Sequence, residues 1–120
     1  MRILVVDDDH VFAELIGEAL QVSGHEVRRV PTTESGIGAL LERRYDVVLL
    51  DLDLGATRGD SLIRRMQALG ERLPRIVILS GQPDEVLAAA AKATGAAAVL
   101  KKPCTIDELL SAIGAAAVYP

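Results

Sequence analysis

At 120 residues, half of them hydrophobic but 2% aromatic, with no Trp and a single cysteine, Cys104, the chain predicts one domain over residues 1–120 with an aliphatic core and no disulfide framework. Thirteen Lys and Arg against 17 Asp and Glu give a net charge of −4, which argues against direct nucleic-acid binding, a mode that needs clustered cations to neutralise phosphates. No apolar run approaches the ~18 residues of a membrane helix, and Met1 leads straight into a strand-like run, so the expectation is a cytoplasmic domain in a reducing compartment, without membrane association.

Ile3-Leu4-Val5-Val6 is an unbroken aliphatic run ending in acids, the pattern of a strand covered on both faces. Phe12, Leu15, Ile16, Ala19 and Leu20 then recur at helical spacing, and Gly24 suits the left-handed position past a helix end. Val27 to Val30 is half polar and reads as an edge strand. A second helix is expected after Thr32 or Thr33, running through Arg44. Gly36 and Gly38 in its first turns each cost about 1 kcal/mol relative to Ala, which marks it as the least stable helix. Gly36-x-Gly38 lacks the third glycine of a nucleotide loop and follows an edge strand, so helix strain accounts for it better.

Val47 to Leu50 is the next buried strand and ends in Asp51. A helix from about Asp60 to Leu69 puts Leu62, Ile63, Met66 and Leu69 on one face. Arg75 to Leu79 is a fourth strand, ending at Ser80-Gly81; Asp84 to Thr94 is helical and stops at Gly95; Ala97 to Leu100 is a fifth strand, ending at Lys101-Lys102-Pro103. Thr105-x-x-Glu108 is a capping box that opens a last helix, to about Val118. Five alternations predict a doubly wound α/β domain, a five-stranded parallel sheet flanked by five helices, flavodoxin-like with strand order 2-1-3-4-5.

In open parallel sheets ligands bind outside the carboxyl ends of the strands. Here those ends carry Asp7-Asp8-Asp9, Asp51-Leu52-Asp53, Ser80 and Lys102. Acids gathered at one edge raise one another's pKa, a conflict that a bound divalent cation resolves. Hard oxygen ligands suit Mg²⁺ or Mn²⁺. A carboxylate beside such an ion can accept a phosphoryl group, with Lys102 as a point charge, Ser80 as a hydroxyl donor and Gly81 leaving room. Asp9 is the expected cap of the first helix, leaving Asp7 and Asp8 to face the metal. His10 reads as a surface residue, His25 as a turn residue and Cys104 as a small buried apolar one.

Asp7-Asp8, the strand-end Asp51 with Gly59 eight residues on, Ser80-Gly81 and Lys102-Pro103 together resemble the receiver domain of bacterial two-component response regulators, and the resemblance runs from Arg2 to Val118. It implies that Asp51 accepts a phosphoryl group from a sensor histidine kinase or phosphotransfer protein. It implies Mg²⁺ bound directly by Asp8 and Asp51, with the backbone carbonyl of Asp53 as a third ligand and Asp7 acting through water. Lys102 would pair with Asp51 and then with the phosphoryl group, through a cis Lys102–Pro103 peptide, and Ser80 would move toward the phosphoryl oxygens. Such a chain is a switch, not an enzyme, and catalyses only its own Mg²⁺-dependent phosphorylation and dephosphorylation.

The sequence departs from the family pattern at Val99, where an aromatic switch residue is usual, at Gly55 in place of a proline, at Cys104 in place of an aromatic, and at Asp53, a position that tunes phosphoryl lifetime. Twelve of the 17 alanines lie between Val86 and Val118, and the weakly charged 84–118 face is read as docking a downstream protein, an output domain or a second copy. Two alternatives stand beside the receiver: a pseudo-receiver that keeps the fold without phosphorylation, and a haloacid dehalogenase-type phosphatase suggested by Asp51-x-Asp53. The chain reads equally as a stand-alone regulator or as part of a longer regulator or hybrid kinase.

Overall fold

The computed structural model describes residues 1–53 and 60–118. Strand and helix alternate as β1 (Arg2–Val6), α1 (His10–Val22), β2 (Glu26–Val30), α2 (Thr33–Glu42), β3 (Val47–Asp51), α3 (Asp60–Ala68), β4 (Arg75–Ser80), α4 (Asp84–Thr94), β5 (Ala98–Lys101) and α5 (Ile106–Val118). All strand pairs are parallel, and the sheet order is β2-β1-β3-β4-β5. The half-polar strand β2 is an edge, as its composition predicts.

Alternation along the strands divides the core in two. Leu4, Val6, Val48, Leu50, Ile76 and Ile78 face α2, α3 and α4, where they meet Ile37, Leu62, Ile63, Met66 and Leu87. Ile3, Val5, Val47, Leu49, Val77 and Leu79 face α1 and α5, against Ile16, Leu20, Leu109 and Ile113. β1, β3 and β4, covered on both faces, are therefore the uninterrupted aliphatic runs of the sequence. Each fully buried Val, Leu or Ile contributes roughly 1.5–3 kcal/mol, so two largely aliphatic layers, joined by the buried Tyr45 and the half-buried Phe12, hold a polar rim.

Local signals set the helix ends. Asp9 caps α1 by accepting the Phe12 N–H, and Gly24 follows the helix with φ of 93°. Thr32 caps α2 in a reciprocal pair with Ser35. Gly95 closes α4 in the left-handed conformation. Thr105 and Glu108 form the expected capping box, the Glu108 N–H donating to Thr105 Oγ1 and the Thr105 N–H to Glu108 Oε1.

Several expectations need correction. α2 ends at Glu42, not Arg44, because Arg43 is already extended at φ −158° and ψ 166°. β5 begins at Ala98, one residue later than expected. Leu15 and Leu69 do not belong to the buried faces assigned to them; they are 55% and 59% exposed, Leu15 because it lies at the margin of the apolar stripe of α1 and Leu69 because α3 ends at Ala68, one residue short of the expected bound. Cys104 is half-buried rather than buried.

Gly36 is also misread as mere strain. A Cβ there would stand 2.7 Å from Leu62 Cδ1 and 3.3 Å from Val6 Cγ2, whereas one at Gly38 would meet nothing within 4 Å. Gly36 lets α2 approach α3 and β1, so its low helix propensity has a packing reason. The two glycines should respond with opposite signs. Gly38→Ala should stabilise the domain by about 0.5–1 kcal/mol through helix propensity. Gly36→Ala should destabilise it by about 1 kcal/mol or more, since overpacking against the fully buried Leu62 outweighs that gain. Urea denaturation of the two variants checks this.

Candidate functional site

Register builds the site. Val6 is level with Leu50 in the parallel ladder, so the next residues, Asp7 and Asp51, leave adjacent strands at the same height. Both share the parity of Ile3, Val5, Val47 and Leu49, on the α1 and α5 face. Lys102 continues the parity of Ala98 and Leu100, and its backbone N–H extends the ladder to the Ser80 carbonyl at 2.8 Å. The Lys102–Pro103 peptide is cis. Ser80 has the opposite parity, that of Ile76 and Ile78.

The Lys102 ammonium lies 3.2 Å from Asp7 Oδ2 and 3.4 Å from Asp51 Oδ2. Both acids are buried, at 3% exposure each, and each closes a turn on its own loop. Asp7 Oδ1 accepts the Asp9 N–H and Asp51 Oδ1 the Asp53 N–H, both at 2.9 Å. Asp8 is exposed. One carboxylate oxygen from each of Asp7, Asp8 and Asp51 falls within 4.8 Å of the others. Three converging hard oxygens with a single ammonium form a donor set that fits a divalent cation of the Mg²⁺ type.

Ser80, fully buried, makes its hydrogen bonds to Asp53 and Gln82 rather than to Asp51. Its hydroxyl donates to Asp53 Oδ2 at 3.0 Å and accepts the Gln82 N–H at 3.1 Å, while the Gln82 side-chain amide donates to Asp53 Oδ1 at 2.8 Å. The rim thus holds two linked groups: Asp7, Asp8, Asp51 and Lys102 in one, and Asp53, Ser80 and Gln82 in the other, joined by the Asp53 N–H. Gly55 and Gly59, both singled out in the sequence, lie outside the described residues.

Two residues escape the sequence reading. The ring of Phe12, the one phenylalanine of the chain, lies with its centroid 4.7 Å from the Lys102 ammonium, a cation–π contact of about 0.5–2 kcal/mol. Its helical spacing marks it only as core, and it is half-buried there. Gln82 stands two residues after Ser80, and that proximity is its one sequence signal. Asp7, assigned a water-mediated role, is also the carboxylate nearer to Lys102.

Burial pushes the Asp51 carboxyl up to about 6; the charges of Asp7 and Asp53 add to this, while the Asp53 N–H and Lys102 oppose it. Burial alone would lower Lys102, but Asp51 and Asp7 outweigh it and hold the ammonium above its usual value. The Cys104 thiol is also raised, by burial and then by Glu108, which makes it an unreactive side chain.

The profile of the response regulator receiver domain family matches residues 3–114. The chain belongs to that family. The sensory/regulatory protein RpfC of Xanthomonas campestris pv. campestris is 32% identical over 98% of this chain, which spans 17% of that protein's length. Sporulation initiation phosphotransferase F of Bacillus subtilis is 26% identical over 93% of this chain and 90% of its own. Among solved structures, a putative response regulator from Chloroflexus aurantiacus superposes with a TM-score of 0.88 at 28% identity, covering 98% of both chains. A response regulator from Burkholderia pseudomallei, solved with a phosphorylated aspartic acid, a calcium ion and citrate, superposes at 0.83 with 29% identity over 93% of this chain and 65% of that one. Receiver domains are signalling domains without a classical catalytic activity, so family membership sets aside the phosphatase alternative. No helix among the described residues is long and apolar enough to cross a membrane.

The raised Asp51 carboxyl has a stability consequence with a definite sign. Between the ordinary value of 3.8 and about 6 the folded metal-free receiver binds more protons than the unfolded chain, so stability falls as pH rises through that window. Asp51→Asn should abolish that slope. In EDTA the variant should match the parent near pH 4 and exceed it by about 2–3 kcal/mol at pH 7, as urea denaturation at the two pH values would show.

Proposed function

We propose that this receiver is a phosphorylation switch whose acceptor is Asp51 and whose ion is Mg²⁺, with Mn²⁺ a substitute. One observation carries the reading: the Asp51 carboxylate lies buried 3.4 Å from the Lys102 ammonium, with oxygens of Asp7 and Asp8 converging within 4.8 Å. Asp8 and Asp51 would hold the ion directly, with the Asp53 backbone carbonyl as a third ligand and Asp7 acting through water. When bound, Mg²⁺ supplies positive charge that screens the phosphoryl oxygens from the attacking carboxylate.

The chain's own residues do the rest. Asp51 Oδ forms the bond to phosphorus as the bond from phosphorus to the donor's imidazole nitrogen breaks, and that nitrogen keeps the electron pair. Lys102 follows the developing negative charge, and Phe12 bounds its ammonium on one side. Ser80 donates its hydroxyl to the phosphoryl group, a differential contact that shifts a two-state equilibrium. Hydrolysis of the acyl phosphate at the same residues resets the switch, so the chain catalyses only its own phosphorylation and dephosphorylation. We assign it a cytoplasmic setting, as one unit over residues 1–120, alone or within a longer protein.

A sensor histidine kinase or phosphotransfer protein must reach Asp51 across the rim, and α1 borders that rim. Val11, Leu15 and Val22 are 79%, 55% and 89% exposed, an apolar stripe that starts three residues after Asp8 and fits the donor protein. The 84–118 face, by contrast, presents small exposed residues such as Ala88, Ala89 and Ala93. It suits close approach of an output partner or a second copy.

Acetyl phosphate with Mg²⁺ should label the chain once, stoichiometrically, and Asp51→Ala should remove the label. Beryllofluoride, a mimic of the aspartyl phosphate, should bind only with the metal present; absence of binding at millimolar Mg²⁺ would favour the pseudo-receiver. With a phosphohistidine protein as donor, Leu15→Glu should slow transfer by about tenfold or more. Labelling by acetyl phosphate, which needs no docking surface, serves as the comparison.

A further inference from the structure

We propose that Asp53 and Gln82 are positioning residues for Ser80, holding its one hydroxyl proton away from the phosphoryl site until Asp51 is modified. The proposal deepens the phosphoacceptor reading above and rests on it. A serine hydroxyl has one proton to donate. In this structure that proton goes to Asp53 Oδ2 at 3.0 Å, so it cannot at the same time go to a phosphoryl oxygen.

The holding contact is built, not incidental. The Gln82 backbone N–H donates to Ser80 Oγ at 3.1 Å and its side-chain amide donates to Asp53 Oδ1 at 2.8 Å. Gln82 therefore fixes both ends of the Ser80–Asp53 bond. Ser80 itself is fully buried, while Asp53 and Gln82 stand at the exposed rim.

The same geometry supplies the release. The Asp53 N–H donates to Asp51 Oδ1 at 2.9 Å, so the Asp53 carboxylate stands next to the acceptor on the same turn. A phosphoryl group on Asp51 adds negative charge beside that carboxylate and offers stronger acceptor oxygens to the hydroxyl. Repulsion of one acceptor and the gain of a better one act in the same direction, and Ser80 changes partner. Asp53 thus opposes the active state through Ser80, in addition to any direct repulsion of the phosphoryl group. Side-chain substitution at Asp53 leaves its backbone N–H and carbonyl in place, which lets the two effects be separated.

The test is a double-mutant cycle on beryllofluoride affinity at saturating Mg²⁺, read by titration calorimetry. Asp53→Ala should tighten binding by about tenfold when Ser80 is present, and by less than about twofold in the Ser80→Ala background. Asp53→Asn, which still accepts but carries no charge, should give an intermediate gain, as should Gln82→Ala. Equal gains from Asp53→Ala in both backgrounds would mean that the carboxylate acts by repulsion alone and would overturn the proposal. So would no gain in either. If the parent failed to bind beryllofluoride, or Asp51→Ala retained binding, the acceptor reading would fall and take this one with it; a sound acceptor with a flat cycle sinks this proposal alone.

Discussion

Parallel pairing at fixed register puts like charges where they would not choose to be. Asp7 and Asp51 leave adjacent strands at one height and on one face, and both are buried. In a medium less polarisable than water their repulsion is amplified. A single ammonium, Lys102, brought in from β5, lies against both. Among the described residues, three negative side chains (Asp7, Asp8 and Asp51) and one positive one leave the site short of positive charge. Burial first, and then the neighbouring negative charges of Asp7 and Asp53, raise the Asp51 carboxyl, and the shortfall of positive charge is what a divalent cation would answer.

That arrangement costs stability, and the remainder of the domain carries the cost. The strands that end in acids, β1 and β3, are deeply covered, as is β4, with aliphatic layers on both sides. Rigid strands hold the carboxylates in place although they repel. α1 contributes at several levels: Asp9 caps it, Ile16 and Leu20 anchor it, Phe12 flanks Lys102, and Val11 and Leu15 stay outside. One helix therefore links the core, the charged rim and an exposed apolar surface.

Much of this is legible in the sequence because the informative features are local. A strand buried on both faces has to be a continuous aliphatic run, and its end is marked by the first polar residue; hence Asp7, Asp51 and Ser80 fall where the runs stop. Caps are equally local, as with Asp9, Thr32 and the Thr105–Glu108 pair. What stays hidden depends on contacts distant in sequence. Phe12 reads as one more core residue until Lys102 is brought against it, and Gln82 has no meaning until Asp53 folds back over Ser80. Gly36 looks like a poor helix residue because Leu62, its reason, belongs to another helix. Leu15 follows the helical period yet faces solvent, since periodicity fixes the direction of a stripe but not its width, and Leu69 continues the period just past the end of α3.

The absence of an aromatic at Val99 bears on how far a change at Ser80 travels. Val99 packs partly buried against the α2–α4 core layer, too short to swing between two rotamers over a large distance. The covalent route is shorter: Ser80 ends β4, Gln82 follows, and Pro83 begins α4 without any side-chain cap. Near that end α4 is tied by the Lys101–Asp84 ion pair at 3.1 Å, between two exposed side chains, a contact of about 0–1 kcal/mol. Its outer surface mixes alanines with Asp84, Glu85 and Lys92, while Leu87 and Ala90 hold its inner side against the core. Leu87 at the end of the first turn is anchored in the core, so the lightly held stretch is the short one between Ser80 and Leu87. Val99 therefore offers no aromatic rotamer, and the segment from Ser80 to the uncapped start of α4 is the nearest covalent connection between the rim and that helix.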